Sequence, residues 1–149
     1  MDKGCYCLVF NNPACSVRVG ALGELPFARG WHIYIGSALG PGGLSRLTRH
    51  LRLARIRNRQ PKWHVDYLLT DPRFTLAYAV SAITQKRFEC RLAAGIGGRA
   101  VPHFGCSDCT CSSHLLYRDH NPASEIMAAF GRLGLAPRKH NTHNPGGEG

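Results

Sequence analysis

Residues 31–51 (WHIYIGSALGPGGLSRLTRHL) combine a tyrosine, a glycine-rich loop and basic side chains in one short stretch. The glycines between positions 36 and 43 allow backbone N–H groups to approach an anion, and the N-terminus of a following helix adds a positive dipole. Arg46 and His50 are four residues apart, so a helix places them on one face. The loop matches neither the phosphate loop of nucleotide hydrolases nor the dinucleotide-binding fingerprint. The stretch is consistent with a phosphate site and equally with a structural turn.

The helix predicted over residues 44–60 carries many basic residues and no acidic one. Its apolar residues form a narrow stripe at helical spacing: Leu44, Leu47, Leu51 and Ala54. A helix that is merely solvated usually interleaves opposite charges in i,i+4 pairs, and Arg46 in the first turn opposes the helix dipole. A solvated arginine face is the alternative, but the pattern favours contacts with phosphates. We expect this face to hold a nucleic acid backbone through Arg49, Arg52, Arg55, Arg57 and Arg59.

The composition also points to a polyanionic partner. Lys and Arg number 19 against 9 Asp and Glu, a net charge of +10, although a basic chain can also simply be well solvated. No apolar run reaches membrane-spanning length, and the N-terminal MDKGCYCLVFNN lacks the layout of a signal peptide. We therefore expect a cytoplasmic protein without membrane contact, whose seven cysteines are reduced thiols.

The elements that must position these residues indicate a single α/β domain. Alternating runs predict four strands, the first three joined as an antiparallel meander: 5–10, 16–27, 31–38 and 74–83. Helical patterns cover 44–60, 86–98 and 121–135, and a short buried helix or strand covers 61–71. We predict an α/β (α+β) fold with a small central antiparallel sheet of three to four strands flanked by helices. It occupies residues 1–135, and 136–149 are expected to be a disordered polar tail.

Four blocks of the sequence, together with the short motifs GCY (4–6) and YIG (34–36), resemble the GIY-YIG endonucleases. The blocks, in order, are most similar to the Uri-type (DUF123) branch of that superfamily: IYIGSALGPGGLSRLTRHLR, WHVDYLL, ECRLA and FGCSDCTCSSHL. The short motifs are unspecific alone, but their order with the longer blocks is specific, and the resemblance covers roughly residues 4–117. It implies a GIY-YIG nuclease-like fold and hydrolysis of DNA phosphodiester bonds with Mg²⁺ or Mn²⁺.

The resemblance implies five catalytic residues: Tyr6, Tyr34, Arg46, His50 and Glu89. In this reading Tyr6 accepts a proton from the attacking water, Tyr34 contacts the phosphate or relays protons, and Arg46 neutralises phosphate oxygens. His50 is a second base or orients the water, and Glu89 holds the metal together with waters and the phosphate. Taken singly, strand tyrosines are more often core residues, and Glu89 reads as a surface glutamate. The assignment therefore depends on the joint pattern.

Gly36 and Ser37 are expected to bring backbone donors toward the phosphate. The chain departs from the family pattern in two places. The spacer between the two tyrosines is long and holds an additional strand over 16–27, and the sequence SDCTCSSH stands where many members have a late asparagine.

His64 and Asp66 share a face if their segment is extended and lie about 200° apart if it is helical. One interpretation is a His–Asp hydrogen bond that orients a catalytic or DNA-contacting imidazole. The other, which we favour, is a buried structural pair beside Trp63 and Tyr67.

A cysteine-rich stretch offers ligand types that suit zinc: Cys106, Cys109, Cys111 and His114. All four lie within nine residues, whereas structural zinc sites usually join two separated pairs, so small buried thiols around a tight turn are favoured. The sequence thus predicts a metal-dependent endonuclease acting on DNA. The alternative is a non-catalytic nucleic-acid-binding module with a Cys-rich, zinc-binding loop.

Overall fold

The computed structural model describes residues 2–57, 60–102, 104 and 114–141. Its strands are β1 (Gly4–Asn12), β2 (Cys15–Arg18), β3 (Glu24–Phe27), β4 (Gly30–Ala38), β5 (Thr75–Ile83), β6 (Arg99–Ala100), β7 (Leu115–Arg118) and β8 (Arg138–Asn141). Its α-helices are α1 (Ser45–Ile56), α2 (His64–Thr70), α3 (Glu89–Ile96) and α4 (Ala123–Arg132). Within these ranges every helix is too short or too polar to span a bilayer.

β1 lies at the centre of the fold because both of its faces are apolar. Its side chains alternate between the two faces and are almost fully buried: Tyr6, Leu8 and Phe10 on one face, Cys5, Cys7 and Val9 on the other. A strand buried on both faces requires a covering layer on each side. α1, α2 and the β2–β3 hairpin cover the first face, and α3 and α4 cover the second.

The described strands form a six-stranded antiparallel sheet in the order β6-β7-β4-β1-β5-β8, and β2 pairs with β3 separately. This confirms the predicted α+β class, in which an antiparallel sheet is flanked by helices. The sheet has six strands rather than three to four. β6, β7 and β8 were not predicted because each is two to four residues long, too short to show a strand pattern of its own.

The prediction of one strand over 16–27 within a three-strand meander is wrong. Gly20 and Gly23 adopt positive φ angles of 50° and 77° around a short 3-10 turn, which divides the segment into β2 and β3. The resulting hairpin packs on the face of the sheet through its buried apolar residues. β4 therefore pairs directly with β1, and this pairing brings the YIG motif beside Tyr6.

The prediction of a disordered tail from residue 136 is wrong for Arg138–Asn141, which form β8 at the edge of the sheet. The strand is held by backbone pairing with β5 and by a hydrogen bond of 2.8 Å between Ser81 Oγ and His140 Nε2. A polar segment can pair in this way because the edge of β5 supplies its backbone partners. Residues 142–149 lie outside the described part of the chain.

The helices differ from the predicted ones mainly at their ends. α1 stops before Arg57, which takes a left-handed conformation (φ 60°) at the helix C-terminus. Arg59, predicted on the same helix, lies outside the described residues. α3 begins at Glu89 rather than at 86, and the segment 61–71, predicted as helix or strand, contains the helix α2.

The cysteines do not all have the same state. Cys90 in the first turn of α3 forms a disulfide bond, whereas Cys5, Cys7 and Cys15 are free thiols. The expectation of reduced thiols throughout is therefore wrong at Cys90, because it rested on compartment alone. Burial, helped by the nearby Glu89 carboxylate, raises the pKa of Cys5 to about 11, which keeps that thiol protonated and unreactive.

Candidate functional site

A cleft of about 380 Å³ is bounded by residues of β1, β4, α1 and α3. It contains four of the five residues predicted to be catalytic: Tyr6, Tyr34, Arg46 and Glu89. Gly36 and Ser37, expected near the phosphate, line the same cleft. Side chains from four elements that are far apart in the sequence therefore meet at one surface.

The glycine of the YIG motif is required by the packing of Tyr6. Gly36 pairs directly with Tyr6 across the two strands, and a Cβ added there would lie 2.6 Å from the Cζ and Oη atoms of the tyrosine. Any side chain at this position would displace the ring. Tyr34, two residues earlier on β4, lies on the same face of the sheet and reaches the cleft.

Tyr6 and His50 form a buried pair behind the cleft surface. Tyr6 Oη lies 3.0 Å from His50 Nε2, and the two residues are 2% and 1% exposed. Burial, reinforced by the neighbouring Tyr34, raises the pKa of Tyr6 far above its ordinary value, and Arg46 opposes this only in part. Burial also lowers the pKa of His50 to about 4, although Asp66 acts in the opposite direction. At pH 7 the hydrogen bond therefore joins a neutral phenol to a neutral imidazole.

Asp66 lies on the other side of the His50 ring. Its Oδ1 is 3.9 Å from His50 Nδ1, and neither atom has a hydrogen-bond partner among the described residues. Its Oδ2 accepts the backbone N–H groups of Lys62 (2.8 Å) and Trp63 (3.1 Å) and a guanidinium N–H of Arg49 (3.2 Å). One carboxylate oxygen thus anchors the start of α2, and the other faces the imidazole. A small shift that brings Asp66 Oδ1 closer to His50 Nδ1 would complete a tyrosine–histidine–aspartate chain of hydrogen bonds.

The predicted pairing of His64 with Asp66 does not form. Both residues are in α2, so their side chains lie about 200° apart around the helix. His64 is exposed, and its ring packs against Phe104 with 6.0 Å between the centroids. The favoured interpretation of a buried structural pair is therefore wrong as well, because only Asp66 is buried, and its neighbour is His50.

Arg46 lies in the first turn of α1, where it borders the cleft. It is exposed, and its Nη1 donates to the carbonyl oxygen of Ser37 at 3.0 Å. The guanidinium carbon of Arg46 lies 5.2 Å from the centre of the Trp63 ring, and that of Arg49 lies 4.6 Å from it. These cation–π contacts hold two guanidinium groups beside the cleft. The sequence did not predict these contacts of Trp63, because both arginines belong to a different helix.

The other basic residues of α1 divide into two groups. Arg49 is bound to a buried carboxylate and Arg57 to two backbone carbonyls, so both make contacts inside the protein. Arg52 and Arg55 are exposed and lie about 240° and 180° around the helix from Arg46. The predicted role of these four residues in nucleic acid binding stays a prediction.

Glu89 provides the carboxylate of the cleft. It is the first residue of α3, its side chain is 12% exposed, and its Oε2 lies 3.9 Å from Arg87 Nη1. Within the described ranges, no three His, Cys, Asp or Glu side chains are grouped so that they could hold a metal. Mg²⁺, however, takes only one or two protein carboxylates, since waters and substrate phosphate oxygens complete its octahedron. A single carboxylate facing a polar cleft fits a site of that kind.

Three of the predicted zinc ligands lie outside the described residues: Cys106, Cys109 and Cys111. The fourth, His114, is buried and lines the cleft, where its backbone carbonyl accepts the N–H of Ile35 in β4 at 2.8 Å. Arg87 lines the cleft too. His114 was assigned to another role in the sequence analysis and Arg87 was missed, although its place two residues before Glu89 was a usable signal.

Comparison with known proteins identifies one family. No curated protein and no solved structure matches the chain. The family described as "Domain of unknown function DUF123" matches residues 5–135, a span that runs from β1 to just beyond α4 and includes every residue of the cleft named above. The chain therefore belongs to the DUF123 family.

Proposed function

We propose that this protein is a divalent-metal-dependent endonuclease that hydrolyses DNA phosphodiester bonds. The observation that carries the proposal is the convergence of Tyr6, Tyr34, Arg46 and Glu89 on one cleft. These side chains supply what the hydrolysis requires, namely a proton acceptor for water, positive charge for the phosphate oxygens and a metal ligand. The net charge of +10 supports a polyanionic substrate.

Arg46 and the adjacent cleft wall would bind the scissile phosphate. A planar guanidinium group can donate two parallel hydrogen bonds to non-bridging oxygens. Arg46 uses two of its five N–H groups for the Ser37 carbonyl and Tyr6, which leaves others for this purpose. Tyr34, which lines the same cleft, can donate a further hydrogen bond from its hydroxyl. Together these donors would hold the phosphorus atom in position for attack.

Tyr6, His50 and Asp66 would form a proton relay. As the water oxygen bonds to phosphorus, the water proton passes to the Tyr6 oxygen, and the phenol proton passes to His50 Nε2. The bond from phosphorus to the departing deoxyribose oxygen breaks, and that oxygen takes a proton from solvent. Asp66 then stabilises the imidazolium, by the logic of serine–histidine–aspartate triads. The relay avoids a free tyrosinate, which the raised pKa of Tyr6 disfavours.

Glu89 is the residue that would hold Mg²⁺ or Mn²⁺, and the bound ion would supply positive charge beside the phosphate. We expect Glu89→Gln to lower the cleavage rate by on the order of 10²-fold or more, since the amide keeps the shape of the side chain but not its charge. EDTA should abolish cleavage by the wild type. The measurement is the nicking of supercoiled plasmid and the cutting of end-labelled oligonucleotides with Mg²⁺, Mn²⁺ or EDTA.

Glu24→Gln is the matched control, because Glu24 is an exposed glutamate on β3 outside the cleft. It should cleave at the wild-type rate. Cleavage that survives EDTA, or that is undiminished in Glu89→Gln, would contradict the proposed mechanism. Salt-sensitive binding without cleavage in any metal would favour a non-catalytic nucleic-acid-binding module instead.

The relay predicts that Asp66→Asn slows cleavage by roughly 10²- to 10⁴-fold in a folded protein. Asparagine keeps an oxygen that can accept the N–H groups at the start of α2, but it presents an N–H donor to His50 Nδ1. The imidazole then carries its proton on Nε2 and can no longer accept the proton of Tyr6. ¹⁵N NMR of the histidine ring at pH 7 should show the protonated nitrogen changing from Nδ1 to Nε2.

The control for this substitution is Asp71→Asn at the end of α2, where Asp71 pairs with Arg73 at 2.9 Å. It should change neither the His50 tautomer nor the rate. If the wild type already carries its proton on Nε2, or if Asp66→Asn slows cleavage without moving that proton, the relay is excluded.

A further inference from the structure

A second groove, of about 290 Å³, adjoins the cleft. The glycine-rich loop forms one wall, and Arg46, Arg49 and Trp63 form the other. The groove shares Gly40 and Arg46 with the cleft, so a chain bound in the cleft has room to extend into the groove. Its described lining carries two guanidinium groups and no carboxylate, which suits a phosphodiester chain.

Trp63 is the most notable side chain of this groove because it is 41% exposed, more than any other Phe, Tyr or Trp that the structure describes. Its position is nonetheless well defined. Its backbone N–H is bound by Asp66, His50 packs edge-on against its ring at 5.9 Å, and the guanidinium groups of Arg46 and Arg49 lie against it. An indole that is exposed to solvent adds little to the stability of the hydrophobic core. Because its neighbours fix its position, it offers a rigid apolar surface to a ligand.

We propose that this groove binds an unpaired nucleotide next to the scissile phosphate, with its base stacked on Trp63, so that the substrate is single-stranded DNA or a single-stranded branch of DNA. Stacking on an aromatic side chain requires a free face of the base. In a duplex both faces are covered by neighbouring bases, and only the edges are accessible in the grooves. Arg46, which lines both the cleft and the groove, would hold the phosphate that joins them. This inference rests on the proposed function, since it names the substrate class of the same site.

Binding is measured without cleavage, in a protein with Trp63 as its sole tryptophan. The Trp31→Phe, Glu89→Gln double variant has this property, because the chain contains two tryptophans. We expect a short single-stranded oligonucleotide to quench the fluorescence of Trp63, and a blunt duplex of the same sequence to leave it unchanged. Equal quenching by the duplex would overturn the proposal.

An abasic scan locates the stacked base. Removing one base, at a single position beside the scissile phosphate, should weaken binding by about 5- to 150-fold, the range expected for one stacked base. Trp63→Ala should weaken binding of the intact strand by the same factor. The affinity of this variant should be the same for the intact strand and for the abasic strand. Trp63→Phe and Trp63→Tyr keep a ring and should retain most of the affinity, so a folding defect in the alanine variant would not hide the result.

The control is Ile56→Ala, which removes an exposed apolar side chain at the end of α1 outside the groove and should not change affinity. If the effect of removing a base is the same with and without Trp63 at every position of the scan, the inference is wrong. Its failure is distinguishable from failure of the proposed function. If duplex DNA is cut at the same rate with and without Trp63, the nuclease proposal stands and the stacking site is excluded. If single-stranded DNA binds through Trp63 but is never cut, the stacking site stands and the nuclease proposal is excluded.

Discussion

Replacing Tyr6 with phenylalanine is expected to lower the cleavage rate by roughly 10²- to 10⁴-fold while the protein remains folded. Phenylalanine keeps the ring that packs beneath Gly36, but it removes the oxygen that takes the proton of water in the proposed mechanism. It also removes the hydrogen bond to His50 Nε2, so the imidazole loses its link to the cleft. The rate should be measured under single-turnover conditions, so that binding and product release do not mask the chemical step.

Tyr78→Phe is the matched control for this prediction. Tyr78 lies on β5 and packs into the opposite face of the sheet, where its hydroxyl donates to Asn121 at 2.6 Å. Both variants lose a hydrogen bond from a hydroxyl. The loss costs about 0.5–1.5 kcal/mol of the free energy of unfolding at Tyr78, whose partner Asn121 is exposed, and about 1–3 kcal/mol at Tyr6, because the buried His50 Nε2 is left without a partner. Two variants that are both fully folded at the assay temperature, with a slow rate only in Tyr6→Phe, would assign the hydroxyl to chemistry. Equal rates in the two variants would remove Tyr6 from the mechanism.

Replacing Arg46 with alanine is expected to have the second large effect, a decrease of about 10²- to 10³-fold in kcat. The side chain is exposed, and it contributes little to folding through its hydrogen bonds to the Ser37 carbonyl and to Tyr6 and its contact with Trp63. The loss should therefore appear in catalysis rather than in the melting temperature. Arg46→Lys should restore only part of the rate, because an ammonium group cannot make the paired donation of a guanidinium.

Arg132→Ala provides the comparison for Arg46. Arg132 is also exposed and also donates to one backbone carbonyl, that of Gly95 at 3.1 Å, but it lies on α4 in the opposite layer. It has the same charge and a similar contact, so its removal corrects for the loss of net charge. A decrease of the same size in both variants would show that Arg46 acts only through the overall charge of the protein.

Long and strongly patterned elements of the fold could be predicted from the sequence. β1, β4 and β5 were found because each is nine residues long and carries enough apolar residues to show its pairing faces. α4 was found because the preceding Asn-Pro marks the start of a helix. The short strands could not be predicted in this way. The polar sequence RKHN of β8, for example, forms a strand only because it pairs with the free edge of β5.

The residue types of the candidate site were also present in the sequence, through the order of the motifs around Tyr6, Tyr34, Arg46 and Glu89. Their meeting in one cleft depends on the register between β1 and β4 and on the docking of α1 and α3 on opposite faces of the sheet. Local periodicity carries no information on such long-range placement.

The sequence by itself thus determined the class of the fold, the basic character of α1 and the set of side chains available for phosphodiester chemistry. The tertiary structure decided which of them are neighbours. Asp66 faces His50 rather than His64, because α2 is a helix and turns His64 outward. Trp63 is exposed beside Arg46 and Arg49, because the start of α2 packs against α1. Both outcomes follow from how two helices dock, which neither helix encodes alone.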